Sequence, residues 1–283
     1  MLIVHTATEL RRLLHPAREQ KKTIGLVPTM GALHCGHLSL VRACREHCSI
    51  TVVSIFVNPT QFNNPNDLRN YPRDLKHDCD MLLATGADIV FAPDEKEIYP
   101  KPDTRRFYFG QLETGMEGAH RPGHFNGVAQ VVSRLFDIVQ PAYACFGEKD
   151  FQQLAIIRAL TEQTDRAPKI IACPIVREAD GLAMSSRNTL LSTSQRAHAP
   201  LIAATLMQAQ AKAKELTVNT LRQWVIDTIN ADRELEVEYA EIVHERTLQP
   251  IEQWREAARP RLCVAVYARP VRLIDNICLR VES

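Results

Sequence analysis

Apolar runs and helix-period patterns alternate along the first 175 residues. "MLIVHT" at the start, "TIGLVPT" (23–29), "TVVSIFV" (51–57), "DIVFAP" (88–93), "AYACFG" (142–147) and "KIIACPIV" (169–176) are short and apolar or β-branched, and each predicts a strand. Residues 37–48, 74–85, 127–140 and 150–163 predict helices between them. Leu38, Val41 and Cys44 fall on one face of the first, Gly86 ends the second and Pro141 stops the third. Thr6 with Glu9 forms a capping box for a further helix after the first strand. Alternation with continuously apolar strands predicts an α/β fold, a parallel sheet covered by helices on both faces. Such a sheet takes ligands at the carboxyl ends of its strands, near the point where strand order reverses.

The pattern changes near residue 176. All 11 glycines lie at or before Gly181. Residues 192–216 and 217–230 predict long helices, and 236–243 and 261–268 predict strands. The expected layout is therefore a first domain over 1–175 and a smaller α+β domain over 176–283. Residues 94–126, rich in Pro, Gly, Asp and Arg, form a long irregular stretch of the kind that is functional or mobile.

Composition narrows the classes. The chain has 283 residues with 34 Lys+Arg against 33 Asp+Glu, so it carries no net basic surface for nucleic acid or anionic lipid. Residues 176–283 hold 14 basic and 14 acidic side chains, so no asymmetry is hidden between the halves. No apolar run reaches the roughly 18 residues of a membrane helix. The first residues lack a basic leader, and a cytoplasmic protein is expected. Eight cysteines without a CxxC pair read as reduced thiols, not a disulfide frame.

Three turns carry candidate chemistry. "PTMGALHCGH" (28–37) follows a strand and opens a helix, where unpaired N–H groups and the helix dipole favour an anion. Gly31 and Gly36 let a ligand approach the backbone, and His34 and His37 can both donate to one phosphate chain. The same ten residues fit a turn with incidental histidines, and a metal site would need ligands beyond them. "GEKD" (147–150) repeats the placement after another strand. Lys149 there is a point charge suited to phosphate, or a solvated turn residue, and Asp150 can cap the next helix. "GLAMSSRN" (181–188) offers the hydroxyls of Ser185 and Ser186 and the fork of Arg187, or else a serine-rich linker.

An HxGH turn, a later lysine turn and an M-S-[SK]-[RK] loop, in this order, resemble the adenylate-forming nucleotidylyltransferase superfamily. The resemblance tightens with "SIFVNPTQF" followed by "YPRD", with "RPGHFNGV" and with "FGEKDFQQL". Together with the first and third turns, these strings resemble the pantoate–β-alanine ligases over most of residues 24–190. Cys35 departs from the family pattern, at a position with no expected chemical role.

That resemblance implies a Rossmann-like doubly wound parallel sheet with a second, smaller α+β lid domain. It implies ATP-dependent condensation of pantoate with β-alanine through pantoyl adenylate, with AMP and pyrophosphate released. ATP would lie along Met30, Gly31, Ala32, Leu33, His34, Cys35, Gly36 and His37, with His34, His37 and Lys149 catalytic. Gly147, Glu148, Lys149, Asp150 and Val176 would continue the ATP site, and Met184, Ser185, Ser186 and Arg187 would complete it. Gln61 and Gln153 would bind pantoate, with Asn58 and Arg121 as weaker candidates. Mg²⁺ would accompany ATP on ligands the sequence leaves unknown, Asp78 or Asp80 being possible contacts. His120 and His124 read as surface or loop-fixing groups. A homodimer is implied. The rival enzyme readings are a nucleotidylyltransferase that keeps the nucleotide in its product and a truncated tRNA synthetase, the second disfavoured by the neutral charge. Rivals of another class are a nucleotide-binding regulatory module and a thiol sensor using Cys35.

Overall fold

The structure is a computed structural model, and it describes residues 1–164 and 167–280. The chain divides into two compact units. The first comprises Met1–Phe109, Arg121–Glu148 and Gln153–Pro174, and the second comprises Gly110–His120, Lys149–Gln152 and Ile175–Ser283.

In chain order the first unit runs β1 (Leu2–Val4), α1 (Ala7–Glu19), β2 (Ile24–Thr29), α2 (Cys35–His47), β3 (Ile50–Ile55), α3 (Pro65–Asn70), α4 (Leu75–Leu83), β4 (Ile89–Phe91) and α5 (Glu95–Ile98). Helix α6 (Met116–His120) belongs to the second unit. The first unit resumes with α7 (His124–Val139), β5 (Tyr143–Gly147), α8 (Phe151–Glu162, all but its first two residues) and β6 (Lys169–Cys173). Its six strands pair in parallel in the order β1-β4-β3-β2-β5-β6. Strands β2, β3 and β4 step outward one way, then β5 returns to the other side of β2. The order thus reverses between β2 and β5, and their carboxyl ends flank the crevice where such sheets take ligands.

Burial explains the apolar runs. In β2, Leu26 and Val27 point to opposite faces and both are fully buried, as a strand covered on two sides requires. Val27, Val53, Val90 and Cys145 form one core cluster with Leu38, Val41 and Cys44 of α2. Thr6 Oγ1 accepts from Glu9 N (3.2 Å) and caps α1.

The second unit adds α9 (Thr193–His198), α10 (Pro200–Lys212), α11 (Val218–Asn230), β7 (Glu236–Val243), β8 (Arg261–Ala268) and β9 (Val271–Cys278). The sequence pattern predicts one helix over 192–216, but the segment breaks where α9 meets α10, at Ala199-Pro200. Proline lacks the N–H that a continuous helix needs there, and it begins α10 at a position that does not use one. Strand β9, which the hydrophobic pattern does not reveal, completes an antiparallel sheet in the order β7-β8-β9. One face of this sheet packs on α10 and α11 through Val264, Val266, Leu273, Leu206 and Val225.

Leu206 of α10 is fully buried in that cluster. We expect Leu206→Ala to lower unfolding free energy by about 2–5 kcal/mol, because the cavity adds to the lost transfer energy. Urea denaturation of the full chain measures it; a loss below about 1 kcal/mol would mean that the cluster does not hold the second unit together.

Candidate active site

The turn after β2 is built around a carboxylate from its own chain. Gly31 and Ala32 both take positive φ (79° and 49°), which aims successive backbone N–H groups inward. Asp78, on α4 and only 1% exposed, receives them. Its Oδ2 accepts from Ala32 N (3.0 Å) and its Oδ1 from Leu33 N (2.7 Å). A β-carbon at Gly31 would lie 2.9 Å from Asp78 Oδ2, so the carboxylate as well as the positive φ demands glycine. Burial raises the Asp78 carboxyl above its ordinary value, against the pull of the two amides.

This geometry starts α2 at Cys35, two residues before the expected helix. His34 is its N-cap, and His34 with His37 forms a reciprocal capping box. His34 Nδ1 accepts from Gly36 N (3.1 Å), and His37 Nδ1 accepts from His34 N (3.3 Å). A ring nitrogen that accepts from an amide carries no proton, so in both neutral rings the proton sits on Nε2. The two rings lie side by side, with centroids 4.1 Å apart. Cys35, between them, is exposed.

Gln61 lies on the short 3-10 turn Pro59–Gln61 after β3 and is 8% exposed. Its Oε1 accepts from Asn58 Nδ2 (3.1 Å), and its Nε2 points to Met30 Sδ (3.1 Å). Asn58 Oδ1 in turn accepts from Tyr99 Oη (2.9 Å), and Asn58 Nδ2 also donates to Gly127 O (3.1 Å). A β-carbon at Gly127 would come within 2.3 Å of Thr60 O, so glycine lets α7 close on this turn. His124 Nδ1 donates to Gln61 O (2.8 Å), which makes it a loop-fixing group. The structure thus brings Met30, Asn58 and Gln61 together with the histidine turn's own strand. Gln153 sits half-buried on the first turn of α8, and Gly147 ends β5 beside Cys173 of β6.

Lys149, Asp150, Val176, Met184, Ser185, Ser186 and Arg187 lie in the second unit. Lys149 is on the 3-10 turn Glu148–Asp150, and its carbonyl accepts from Asn276 Nδ2 of β9 (2.9 Å). Val176 and Met184 face each other across a hairpin, where Met184 N donates to Val176 O (3.0 Å) and Arg177 bridges Ala183. Ser185 caps the 3-10 turn Ser186–Leu190 by accepting from Arg187 N (3.2 Å). His120 stacks on Tyr239, ring centroids 5.4 Å apart.

Comparison with known proteins gives the family. The model of the family described as pantoate-beta-alanine ligase matches residues 2–278. The chain belongs to the pantoate–β-alanine ligase family. Pantothenate synthetase of Bacteroides fragilis (strain YCH46) is 51% identical over 277 residues, covering 98% of each chain. The crystal structure of pantothenate synthetase from Thermus thermophilus superposes with a TM-score of 0.92 at 41% identity, over 99% of this chain and 100% of that one. The pantoate–β-alanine ligase of Francisella tularensis, complexed with β,γ ATP and β-alanine, gives 0.83 at 35% identity over 98% and 97%.

Sequence reasoning treats Asp78 only as a possible metal contact, whereas both its oxygens hold the ligase-family turn. Its partners are 45 and 46 residues away, and no local pattern announces them. Asp80 is exposed and pairs with Lys76. Among the described residues no group of three His, Cys, Asp or Glu is placed to hold a metal ion. Asp78→Ala strands the buried amide of Leu33, at about 1–3 kcal/mol, and the half-buried amide of Ala32, at less. We expect a loss of about 2–4 kcal/mol in urea unfolding, with pyrophosphate release impaired in the variant that remains folded. An unchanged midpoint would show that another group sets the turn.

Proposed function

We propose that this chain condenses pantoate with β-alanine in an ATP-dependent reaction through pantoyl adenylate, releasing AMP and pyrophosphate. The observation that carries the reading is the pair of Nε2–H donors at the N-terminus of α2, at the end of the sheet's central strand, in a chain of this family.

The pantoate carboxylate attacks the α-phosphorus of ATP and pyrophosphate leaves; the β-alanine amine then attacks the activated carbonyl and AMP leaves. The first step spreads negative charge over a phosphoryl group, so positioned donors and charges lower its barrier. In this reading His34 and His37 donate through Nε2 to phosphate oxygens, with His37 the proton donor, and Lys149 adds charge at the α-phosphate. Ser185, Ser186 and Arg187 hold the β- and γ-phosphates. Gln61 and Gln153 bind pantoate by neutral amides, which avoid the ground-state stabilisation that an arginine would give the nucleophile. Mg²⁺ would accompany ATP and would offset the charge developing on its phosphates; no residue of this chain is assigned to it.

The family resemblance supports a homodimer, which light scattering on the purified chain tests. It also supports a cytoplasmic location; no helix among the described residues is long and apolar enough to cross a membrane.

The deciding assay follows nucleotides by chromatography. Pyrophosphate should form from ATP and pantoate, and AMP should be released together with pantothenate when β-alanine is added. A product that retains the nucleotide would instead establish the nucleotidylyltransferase reading. Lys149→Ala and His37→Ala should each slow pyrophosphate release by about a hundredfold or more; the unfolding midpoint should be little changed for Lys149→Ala, and His37→Ala should lose no more than a cap contact, about 0.5–2 kcal/mol. Near wild-type rates would remove these residues from the chemistry.

A further inference from the structure

Two consecutive residues of β9 hold two different parts of the second unit. Asn276 is 2% exposed. Its Oδ1 accepts from Arg261 Nε (2.7 Å). Arginine offers only donors, so this contact fixes the amide's orientation, and Nδ2 must be the atom facing Lys149 O at 2.9 Å. Arg261 also lies over the Phe151 ring, 4.4 Å from its centroid. The lysine turn is therefore gripped at the carbonyl of Lys149 and at the ring two residues on.

Asp275 is 4% exposed and takes the fork of Arg177 with both oxygens, at 2.6 and 2.9 Å. Arg177 Nη1 also donates to Gly181 O (3.0 Å), which ties together the two limbs of the hairpin that leads into Ser185. From the far side, Asn188 Nδ2 donates to Glu178 Oε1 (2.7 Å) and Ala183 O (3.1 Å), closing the serine–arginine turn onto the same hairpin. Asp275 Oδ1 further accepts from Asn276 N (2.7 Å), so the two anchors are also bonded to each other.

We propose that Asp275 and Asn276 are positioning residues that lock the Lys149 turn and the Ser185–Arg187 turn to one strand, so that both present a fixed spacing to a single triphosphate. This rests on the function proposed above. Consecutive strand residues rise only about 3.4 Å, and a strand inside a hydrogen-bonded sheet is stiff. A lysine serving the α-phosphate and a turn serving the β- and γ-phosphates must keep a constant separation. Displacement of the lysine from the reacting α-phosphate by about 1 Å costs on the order of a hundredfold in rate, whereas displacement of the turn on the β- and γ-phosphates weakens the hold on ATP itself.

The test measures pyrophosphate release from ATP and pantoate by the full chain. Asn276→Asp removes the donor, and Asn276→Ser shortens the reach without adding charge. Each should lower kcat about 10- to 100-fold while ATP KM moves less than about threefold. Asp275→Asn should act chiefly on ATP KM, raising it about tenfold or more. The separating measurement is a double-mutant cycle. In a Lys149→Ala background, Asn276→Ser should cost less than about twofold more, because Asn276 acts through that lysine's turn. An Arg187→Ala background should likewise absorb most of the Asp275→Asn effect. Losses that multiply, or wild-type kinetics in both Asn276 variants, would overturn the proposal. A wild-type chain that releases no pyrophosphate would instead sink the functional reading, and a fully active Lys149→Ala would sink that lysine's assignment.

Discussion

The first unit's candidate chemistry depends on one carboxylate that does no chemistry itself. Asp78 accepts the amides of Ala32 and Leu33, and this contact stabilises two consecutive positive-φ residues after β2. A non-glycine residue in that region is uncommon and strained, so Ala32 holds it only where the surroundings over-determine it. With the turn fixed, His34 arrives with extended backbone and becomes the N-cap of α2. Had the two amides instead faced a phosphate, the turn would be shaped by the ligand. Because they face Asp78, it is shaped beforehand, and in the proposed function the ring nitrogens are left to meet the phosphate.

That division explains why two histidines serve where serine or aspartate is the common cap. A capping carboxylate has no donor to offer an anion, and a capping hydroxyl has only one O–H, held close to the backbone. An imidazole can accept at Nδ1 and donate at Nε2, so the cap and the donor are one side chain. Each ring here is fixed by an amide, His34 by Gly36 N and His37 by His34 N. The tautomer is therefore set by helix initiation, and it leaves the proton on Nε2, as the proposed function needs.

Elements whose cause is local could be read from sequence. The strands of the parallel sheet, the placement of the histidine turn after β2 and of Lys149 after β5, and the buried face of α2 follow from contiguous residues. Strand β9 could not be read. "VRLIDNIC" carries Asp275 and Asn276, residue types that strands disfavour, and the charged Arg272, which needs a partner when buried. Their compensation lies far off: Arg177 is 98 residues from Asp275, Lys149 is 127 from Asn276, and Glu117 is 155 from Arg272. The same separation hid Asp78 behind its neighbours on α4. The irregular stretch 94–126 also contains more than its composition suggests. Within it Met116–His120 is helical, Glu117 N donates to Gln152 Oε1 (2.9 Å), and Gln152 Nε2 returns to Leu112 O (2.8 Å).

The two faces of the second sheet then fix its register. Val271 and Leu273 turn to the α10 and α11 core, while Arg272 and Asn276 turn the other way. On that second face Arg272 forks onto Glu117 (2.9 and 2.8 Å) and also reaches Glu238, and Tyr239 Oη donates to Glu117 (2.8 Å). Burying such charges is costly, and it is tolerated because the carboxylates and the guanidinium find hydrogen-bonded partners in one another. Side chains alternate with period two, so a slip of one residue would drive Arg272 and Asn276 into the helix-facing core. It would also carry the donor for the Lys149 carbonyl to the wrong side. The apolar face makes any slip expensive, and the ion pairs on the opposite face select one register, the one that leaves Lys149 anchored.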